Sequence, residues 1–171
     1  SEKTEIYIKL ADAAINKNKT VIVLVPEISL TPQLSQKFID TFGDKVGIWH
    51  SKLTQREKYK TWQAIKNNQY AIIIGARSAI FTPLSNLGLI IVDEEHDPSY
   101  KQESSSFKYH ARDVGIIRAK YSNATIVLGS ATPSVESFYH ADNHKMKLLK
   151  MDKRYQNNDY PTIDIIDMKK G

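Results

Sequence analysis

Three consecutive carboxylates and an imidazole, Asp93-Glu94-Glu95-His96, directly follow the apolar run "LGLIIV" at 87–92. Such a run is typical of a buried strand, and in an open parallel sheet ligands bind beyond the carboxyl ends of the strands. At that end Asp93 can hold Mg²⁺ through its waters, and Glu94 can orient a water for attack. The pattern therefore predicts metal-assisted hydrolysis, with a solvated acidic loop as the alternative.

A second chemical group stands near the amino terminus, where Lys3 and Thr4 open an amphipathic segment ahead of an apolar run. A phosphate-binding loop of the form G-x-x-x-x-G-K-[ST] ends in this way, with the lysine on the β- and γ-phosphates and the hydroxyl on Mg²⁺. Glu2 stands where the last glycine of the motif belongs, so we expect the chain to be a fragment that begins within the motif. Combined with Asp93 and Glu94, this pair predicts half of a nucleoside-triphosphatase site.

The segment "GSATPS" at 129–134 is a third polar group at the end of an apolar run. Gly129 permits close approach of the backbone, and Ser130 and Thr132 offer hydroxyls beside the acidic cluster. The same residues also make a good helix start, with Thr132 as the cap and proline in the first helical position. The two roles are compatible.

Aromatic and cationic side chains interleave beyond the acidic cluster, in the order Tyr100, Lys101, Phe107, Lys108, Tyr109, His110 and Arg112. This is the composition of a platform for single-stranded nucleic acid, on which bases stack on rings while cations meet phosphates. The alternative for each ring is an anchor that packs the loop onto the core.

Hydrophobic periodicity predicts the strands and helices that position these groups. Near-continuous apolar runs predict buried strands at 21–26, 46–50, 70–75, 87–92 and 124–129. Helical spacing or capping signals predict helices before the first run, behind Thr31-Pro32, behind the capping box "TQRE" at 54–57, over 110–121 and after Thr132-Pro133. The alternation predicts an α/β fold, a mostly parallel sheet with helices on both faces. The pattern weakens towards the carboxyl terminus, so we expect a lobe over 1–142 and strands or a connector over 143–171.

Composition narrows the functional class. A length of 171 residues suits one domain, and the absence of cysteine excludes disulfides and thiolate zinc sites within this span. No apolar run approaches the ~20 residues of a membrane helix. The net charge of +5 and the pI near 9.2 favour a polyanionic partner, although a lysine-rich solvated surface gives the same balance.

The chain resembles the bacterial primosomal replication-restart helicases in five segments that stand in family order. These segments are "VPEISLTPQ" (25–33), "GARSAIFTP" (75–83), "DEEHDPSYKQ" (93–102), "YHARD" (109–113) and "GSATPS" (129–134). The resemblance implies the first RecA-like lobe of a P-loop, DEAH-type ATPase that uses ATP and Mg²⁺ to move along single-stranded DNA and unwind it in the 3′-to-5′ direction. It further implies forked DNA, primosome proteins and single-strand-binding proteins as partners of the full-length protein, no membrane partner, a place in the bacterial cytoplasm, and zinc only in a part absent from this chain.

The resemblance also implies residue roles. Catalysis falls to Asp93 and Glu94, and coupling of nucleotide state to DNA falls to His96 and Thr132. Nucleotide binding involves Lys3, Thr4, Asp93, Glu94 and Ser130, with Thr4 and Asp93 at the metal. DNA binding involves Thr31, Gln33, Arg77, Ser78, Tyr100, Lys101, Phe107 and Tyr109.

Two other functions compete with this interpretation. One is a different superfamily 2 DNA translocase, and the other is a degenerate module that binds DNA without nucleotide. Glu2 and the truncated phosphate loop favour the second. We expect the isolated chain not to hydrolyse ATP at a useful rate, since the glycine-rich loop and the arginine finger of a second lobe are both needed for turnover.

Overall fold

The apolar runs of the sequence form a five-stranded parallel sheet. The structure, a computed structural model, describes residues 2–27 and 32–132 and the single positions 135, 139 and 147. The chain divides into two compact units, Ser1–Val135 and Glu136–Gly171. Thr31, the helix expected after Thr132-Pro133, and the connector expected over 143–171 (apart from Lys147) lie outside the described residues.

The five strands of the main sheet run in the order β2-β3-β1-β4-β7, and every neighbouring pair is parallel. A separate antiparallel pair, β5 and β6, lies between β4 and the last helix. The strands are β1 Thr20–Leu24, β2 Val46–Trp49, β3 Ile72–Gly75, β4 Leu87–Val92, β5 Lys101–Gln102, β6 Tyr109–His110 and β7 Thr125–Leu128. All five predicted strands are therefore present, whereas the small β5–β6 pair was not predicted because two-residue strands carry no periodicity.

Within residues 2–27 and 32–132, four α-helices accompany the sheet: α1 Glu2–Asn16, α2 Pro32–Phe42, α3 Gln55–Lys66 and α4 Ala111–Ser122. Short 3₁₀ helices cover Gly43–Lys45, Arg77–Phe81 and Pro98–Tyr100. The 3₁₀ helix Arg77–Phe81 replaces an α-helix in the connection from β3 to β4, so the alternation of strands with α-helices is interrupted there. No helix among the described residues combines the length and apolar composition that a bilayer span requires.

Alternate residues of the central strands enter two separate apolar cores. On β1, Ile22 and Leu24 pack on one side of the sheet, together with residues of α3 and α4. Val21 and Val23 pack on the other side, with residues of α1 and α2. Because both faces of the strand are covered, nearly every position of it is apolar, which confirms the predicted three-layer architecture.

Helix α3 begins at the capping box that the sequence predicts. The N–H of Glu57 donates to the Thr54 hydroxyl over 3.2 Å, and the N–H of Thr54 donates to the Glu57 carboxylate over 2.7 Å. The Thr54 hydroxyl also donates to this carboxylate over 2.8 Å. The pKa of Glu57 is lowered first by the bond from the Thr54 N–H and then by the bond from the Thr54 hydroxyl. The box thus satisfies two N–H groups that the helix itself leaves without partners.

Thr54→Ala should lower the free energy of unfolding by ~1 kcal/mol, because the cap at the first turn of α3 is lost. The neighbouring exposed residue offers a matched control, since Gln55→Ala should change it by less than ~0.5 kcal/mol. Urea unfolding followed by circular dichroism measures both. Equal stability of the two variants would contradict a stabilising role for the box.

Candidate functional site

The acidic cluster lies at the carboxyl end of β4, beside the end of β1. The N–H of Asp93 donates to the carbonyl of Leu24 over 2.9 Å, so the β1–β4 ladder continues up to the first carboxylate. Helix α1 packs against both strands and brings Lys3 to the same place. The Lys3 Nζ lies 3.5 Å from Asp93 Oδ1 and donates a hydrogen bond to Glu94 Oε1. Two motifs that are 90 residues apart, from Lys3 to Asp93, therefore meet in one cluster.

Tyr7 is a member of this cluster that the sequence analysis missed. Its side chain is 3% exposed, and its hydroxyl donates to Asp93 Oδ1 over 2.8 Å. Burial and the neighbouring Asp93 carboxylate raise the pKa of Tyr7 well above its ordinary value. The available signal was its position four residues after Lys3, which places both side chains on one face of α1.

The chain reverses at Glu94 in a left-handed conformation, with φ +46°. This region is unusual for a residue other than glycine. Two flanking hydrogen bonds hold the turn: the N–H of Glu95 donates to the Gly129 carbonyl over 3.0 Å, and the N–H of Asp97 donates to the Glu94 carbonyl over 2.8 Å. Successive carboxylates consequently turn in different directions, Glu94 towards Lys3 and Glu95 into the protein.

Glu95, which received no role from the sequence, is 1% exposed and forms an ion pair with Arg112 at 3.2 Å. The Arg112 Nε also lies 3.1 Å from the Asp113 carboxylate. A buried carboxylate requires such compensation, since an isolated charge in the interior is costly. The pair joins the acidic turn to the first turn of α4.

His96 connects the acidic turn to the segment after β7. Its Nδ1 lies 2.7 Å from the Ser130 hydroxyl and 3.8 Å from Glu94 Oε2. The Ser130 oxygen also accepts a hydrogen bond from the N–H of Thr132 over 2.9 Å. The structure thus joins the predicted residues His96, Ser130 and Thr132 by hydrogen bonds and places Glu94 beside them, and their functional roles stay predictions.

The residues predicted to hold Mg²⁺ suit a hard cation. Thr4 is 7% exposed on the first turn of α1, and Asp93 supplies a carboxylate beside that turn. Hydroxyl and carboxylate oxygens are the ligands that Mg²⁺ takes, usually with several waters retained. Within the described ranges, no group of three or more His, Cys, Asp and Glu side chains forms a ready-made metal site. The donors therefore fit a cation that arrives with a phosphate ligand.

Tyr100 corrects the predicted DNA platform. The sequence analysis placed this ring among the stacking residues, but it is 0% exposed. The 3₁₀ helix Pro98–Tyr100 turns the ring into the core between the sheet and α4, and its hydroxyl donates to the Asp93 carbonyl. Because a base needs an exposed ring face, Tyr100 is the loop anchor and cannot stack on DNA as it stands.

Arg77 is half-buried and hydrogen-bonded to the neighbouring loop. Its Nη1 donates to the carbonyls of Ser99 and Lys101, each over 3.0 Å. The Arg77 guanidinium also forms a hydrogen bond with the Tyr109 side chain. The Arg77 side chain fastens the 3₁₀ helix Pro98–Tyr100 and the first residue of β5 to the 3₁₀ helix Arg77–Phe81. Its predicted contact with the DNA backbone stays a prediction.

The exposed aromatic residues form a cluster at the β5–β6 pair. Tyr109 lies edge-on to Phe81 with ring centroids 5.0 Å apart, and its centroid is 5.6 Å from that of Phe107. The Phe107 ring is 64% exposed and the Phe81 ring 43%. Phe81 was not predicted, because "SAIFTP" shows no cation beside the ring.

The remaining predicted DNA-binding residues lie at the surface. Gln33 is exposed in the first turn of α2. Ser78 is exposed and accepts a hydrogen bond from Trp49 Nε1 over 3.1 Å. Lys101 is exposed and pairs with Glu103 at 2.6 Å. These positions are compatible with contact to a nucleic acid, and the contact itself stays a prediction.

The sequence matches the DEAD/DEAH box helicase family over residues 2–140. The chain belongs to this family. It is 46% identical over 173 residues to the replication restart protein PriA of Synechocystis sp., and 46% identical over 169 residues to that of Bacillus subtilis. Each alignment covers 99% of this chain and 21% of the relative. The Chlamydia pneumoniae protein of the same name is 48% identical over 168 residues, 98% of this chain and 22% of the relative. The chain thus spans about a fifth of the length of these relatives.

Solved structures identify the same fold. The helicase domain of Pyrococcus furiosus Hef superimposes with a TM-score of 0.55 at 18% identity, covering 85% of this chain and 31% of that one. The carboxyl-terminal part of the Fun30 ATPase domain gives a TM-score of 0.53 at 13% identity, covering 86% and 46%. The parallel sheet of this DEAD/DEAH box helicase chain is therefore a RecA-like α/β lobe, as the sequence predicted.

His110 makes the lobe sensitive to acid. Its Nδ1 accepts a hydrogen bond from the N–H of Arg112 over 3.2 Å and caps α4, which requires that nitrogen to be unprotonated. Burial, followed by the Arg112 guanidinium, lowers the pKa of His110, against the opposing effects of Asp113 and Glu95.

Because the folded protein disfavours protonation of His110, its stabilisation is present above the unfolded pKa of ~6.5 and is lost as pH falls through the folded value. His110→Asn keeps a capping side chain that does not titrate. We therefore expect the free energy of unfolding to fall less steeply between about pH 7 and pH 5 in this variant than in the wild type. Urea unfolding at several pH values measures both slopes, and parallel curves would contradict the assignment.

Proposed function

We propose that the chain is the ATP-binding lobe of a DNA helicase that acts in replication restart, unwinding in the 3′-to-5′ direction as it moves along single-stranded DNA. The observation that carries the proposal is the meeting of Lys3 with Asp93 and Glu94 at the carboxyl end of β4. Membership of the DEAD/DEAH box helicase family and identity of about 46% to PriA proteins support the same function. That kinship also favours this function over the other superfamily 2 translocases.

The charged side chains of the acidic cluster and Lys3 support the binding of ATP at the carboxyl end of β4. Lys3 forms ion pairs with two carboxylates. The negatively charged phosphates of ATP would compete with these carboxylates for the Lys3 ammonium group. Glu94 is then released to orient the attacking water, and Thr4 and Asp93 would hold Mg²⁺. When bound, Mg²⁺ would neutralise negative charge on the phosphates. The chain thus contributes these residues to the ATP-hydrolysing site of the intact protein.

The DNA side lies at the β5–β6 pair. Phe107 and Tyr109 offer ring faces for bases, and Lys101 offers a cation for the phosphates. Such contacts bind single strands without reading sequence, and salt weakens them. Gln33 and Ser78 extend the DNA contact along the same edge of the sheet, with Thr31 outside the described residues. His96 and Thr132, linked through Ser130, couple this surface to the nucleotide.

The biological setting is part of the proposal. The relatives carry the printed name replication restart protein, which supports forked DNA, primosome proteins and single-strand-binding proteins as partners and the bacterial cytoplasm as the location. The absence of cysteine from this chain agrees with placing any zinc in another part of a longer protein.

Glu94→Gln tests the assignment of the water-orienting group. In the intact protein it should leave binding of ATP nearly unchanged while slowing hydrolysis by at least about a hundredfold, because the amide cannot accept the proton of the attacking water. Glu5→Gln, an exposed change on α1, is the matched control. Filter binding and phosphate release measure the two properties. Equal losses of binding and turnover would make Glu94 a structural or metal-binding residue instead.

Phe107→Ala tests the stacking surface. Loss of the exposed ring should weaken binding of oligothymidine by ~1–3 kcal/mol, the usual value for one stacked base. Tyr100→Phe, at the buried ring, should leave the affinity of the folded protein unchanged. Fluorescence anisotropy at two salt concentrations measures both, with weaker binding at the higher one. Unchanged affinity in Phe107→Ala would exclude that ring from the DNA contact.

A further inference from the structure

The Tyr7 hydroxyl lies where three segments of the site meet. It extends from α1, donates to the Asp93 carboxylate after β4 over 2.8 Å, and lies against Gly129 after β7. A Cβ atom built on Gly129 would stand 1.7 Å from the Tyr7 oxygen and 2.9 Å from its Cζ. Any side chain at position 129 would therefore displace the hydroxyl, so the glycine forms the space that the hydroxyl occupies.

Asp93 Oδ1 receives two donors from one face of α1. Lys3 and Tyr7 are four residues apart, about one helical turn. The Lys3 ammonium lies 3.5 Å from Oδ1 and is shared with Glu94, whereas Tyr7 makes the shorter contact of 2.8 Å. A nucleotide at the proposed site would draw Lys3 towards its phosphates. The Tyr7 hydroxyl cannot follow, because its ring is buried in the core between α1 and the sheet.

We infer that Tyr7 is a positioning residue that holds the Asp93 carboxylate in its metal-binding orientation after Lys3 has turned to the nucleotide, and that Gly129 is required to seat it. This inference rests on the proposed ATP and Mg²⁺ site. A second function of the bond is to keep Asp93 Oδ1 occupied by a neutral donor while Lys3 moves.

The protonation state of the phenol agrees with this role. The ordinary pKa of a tyrosine hydroxyl is ~10, so the Tyr7 hydroxyl is a hydrogen-bond donor at neutral pH. Replacement by phenylalanine removes the donor and keeps the ring. The substitution therefore separates the hydrogen bond from the packing.

The test measures equilibrium binding of a fluorescent ADP analogue to the intact protein during a Mg²⁺ titration, without turnover. For Tyr7→Phe we expect the Mg²⁺ concentration at half-maximal binding to rise about tenfold, the size of one hydrogen bond to a charged group. Binding measured in EDTA should stay within about twofold of the wild type, because Lys3 is unchanged. Thr82→Val is the matched control, since it also removes a buried hydroxyl bond, from Thr82 to the Ala79 carbonyl over 2.7 Å, without touching the acidic turn. It should leave the Mg²⁺ dependence unchanged.

Gly129→Ala should disrupt the same hydrogen bond, because the added Cβ would displace the Tyr7 hydroxyl. It provides a second test if Tyr7→Phe folds poorly. It should raise the Mg²⁺ requirement to a similar degree, and Gly129→Ala with Tyr7→Phe should be no worse than either single change, because both remove one interaction. An unchanged Mg²⁺ requirement in folded Tyr7→Phe, or equal losses with and without the metal, would overturn the inference and leave the ATP site intact. Failure of the wild type to bind the analogue at any Mg²⁺ concentration would overturn the proposed function itself.

Discussion

The pairing of β4 with β1 is the constraint on which the candidate site depends. Leu24 lies opposite Val92 in this pairing, and the next hydrogen bond, from the Asp93 N–H to the Leu24 carbonyl, fixes the first carboxylate at the sheet edge. The period of a strand is two residues, so a slip by one would turn Asp93 to the other face and remove it from Lys3 and Tyr7. The side chains on both faces of β1 and β4 are packed into the two apolar cores, so a shifted register would lose that close packing.

Charge compensation explains how three adjacent carboxylates are tolerated at that edge. Like charges held side by side would repel, but the carboxylates diverge to compensating groups: Asp93 and Glu94 share Lys3, Asp93 also accepts from Tyr7, and Glu95 pairs with Arg112. The left-handed turn at Glu94 makes this divergence possible. The energetic cost of the unusual backbone, of order 1–3 kcal/mol, is offset by the ion pairs and by the two hydrogen bonds that flank the turn.

The sequence was sufficient wherever a physical pattern is local or strongly periodic. The strands were found because a strand covered on both faces must be apolar throughout, and α3 was found because a capping box is a four-residue signal. Lys3 and Asp93 were grouped because a phosphate-loop ending and a carboxylate at a strand end together make half of a nucleoside-triphosphatase site. The predictions that failed depend on tertiary context. Tyr100 and Phe107 each follow a serine and precede a lysine, yet a 3₁₀ turn buries the ring of Tyr100 while the ring of Phe107 is exposed. Tyr7 was missed for the same reason, since only the fold places its hydroxyl against Gly129.

The burial of Tyr100 shows that the aromatic segment after the acidic turn has a structural role as well as the DNA-binding role that its composition suggested. Its hydroxyl donates to the Asp93 carbonyl, and the carbonyls on either side of it, of Ser99 and Lys101, both accept from Arg77. The segment from the acidic turn to β5 is therefore fastened at its buried ring to the main chain of Asp93. The exposed ring of Phe107 stands on the loop before β6, the half-buried ring of Tyr109 stands on β6, and β6 pairs with β5. Coupling between sites needs a physical element that both sites can bias, and this segment connects the proposed DNA and nucleotide sites. A strand bound to the outer rings would act on β5, and β5 is joined through Tyr100 to Asp93 by a hydrogen bond that a phenylalanine could not make.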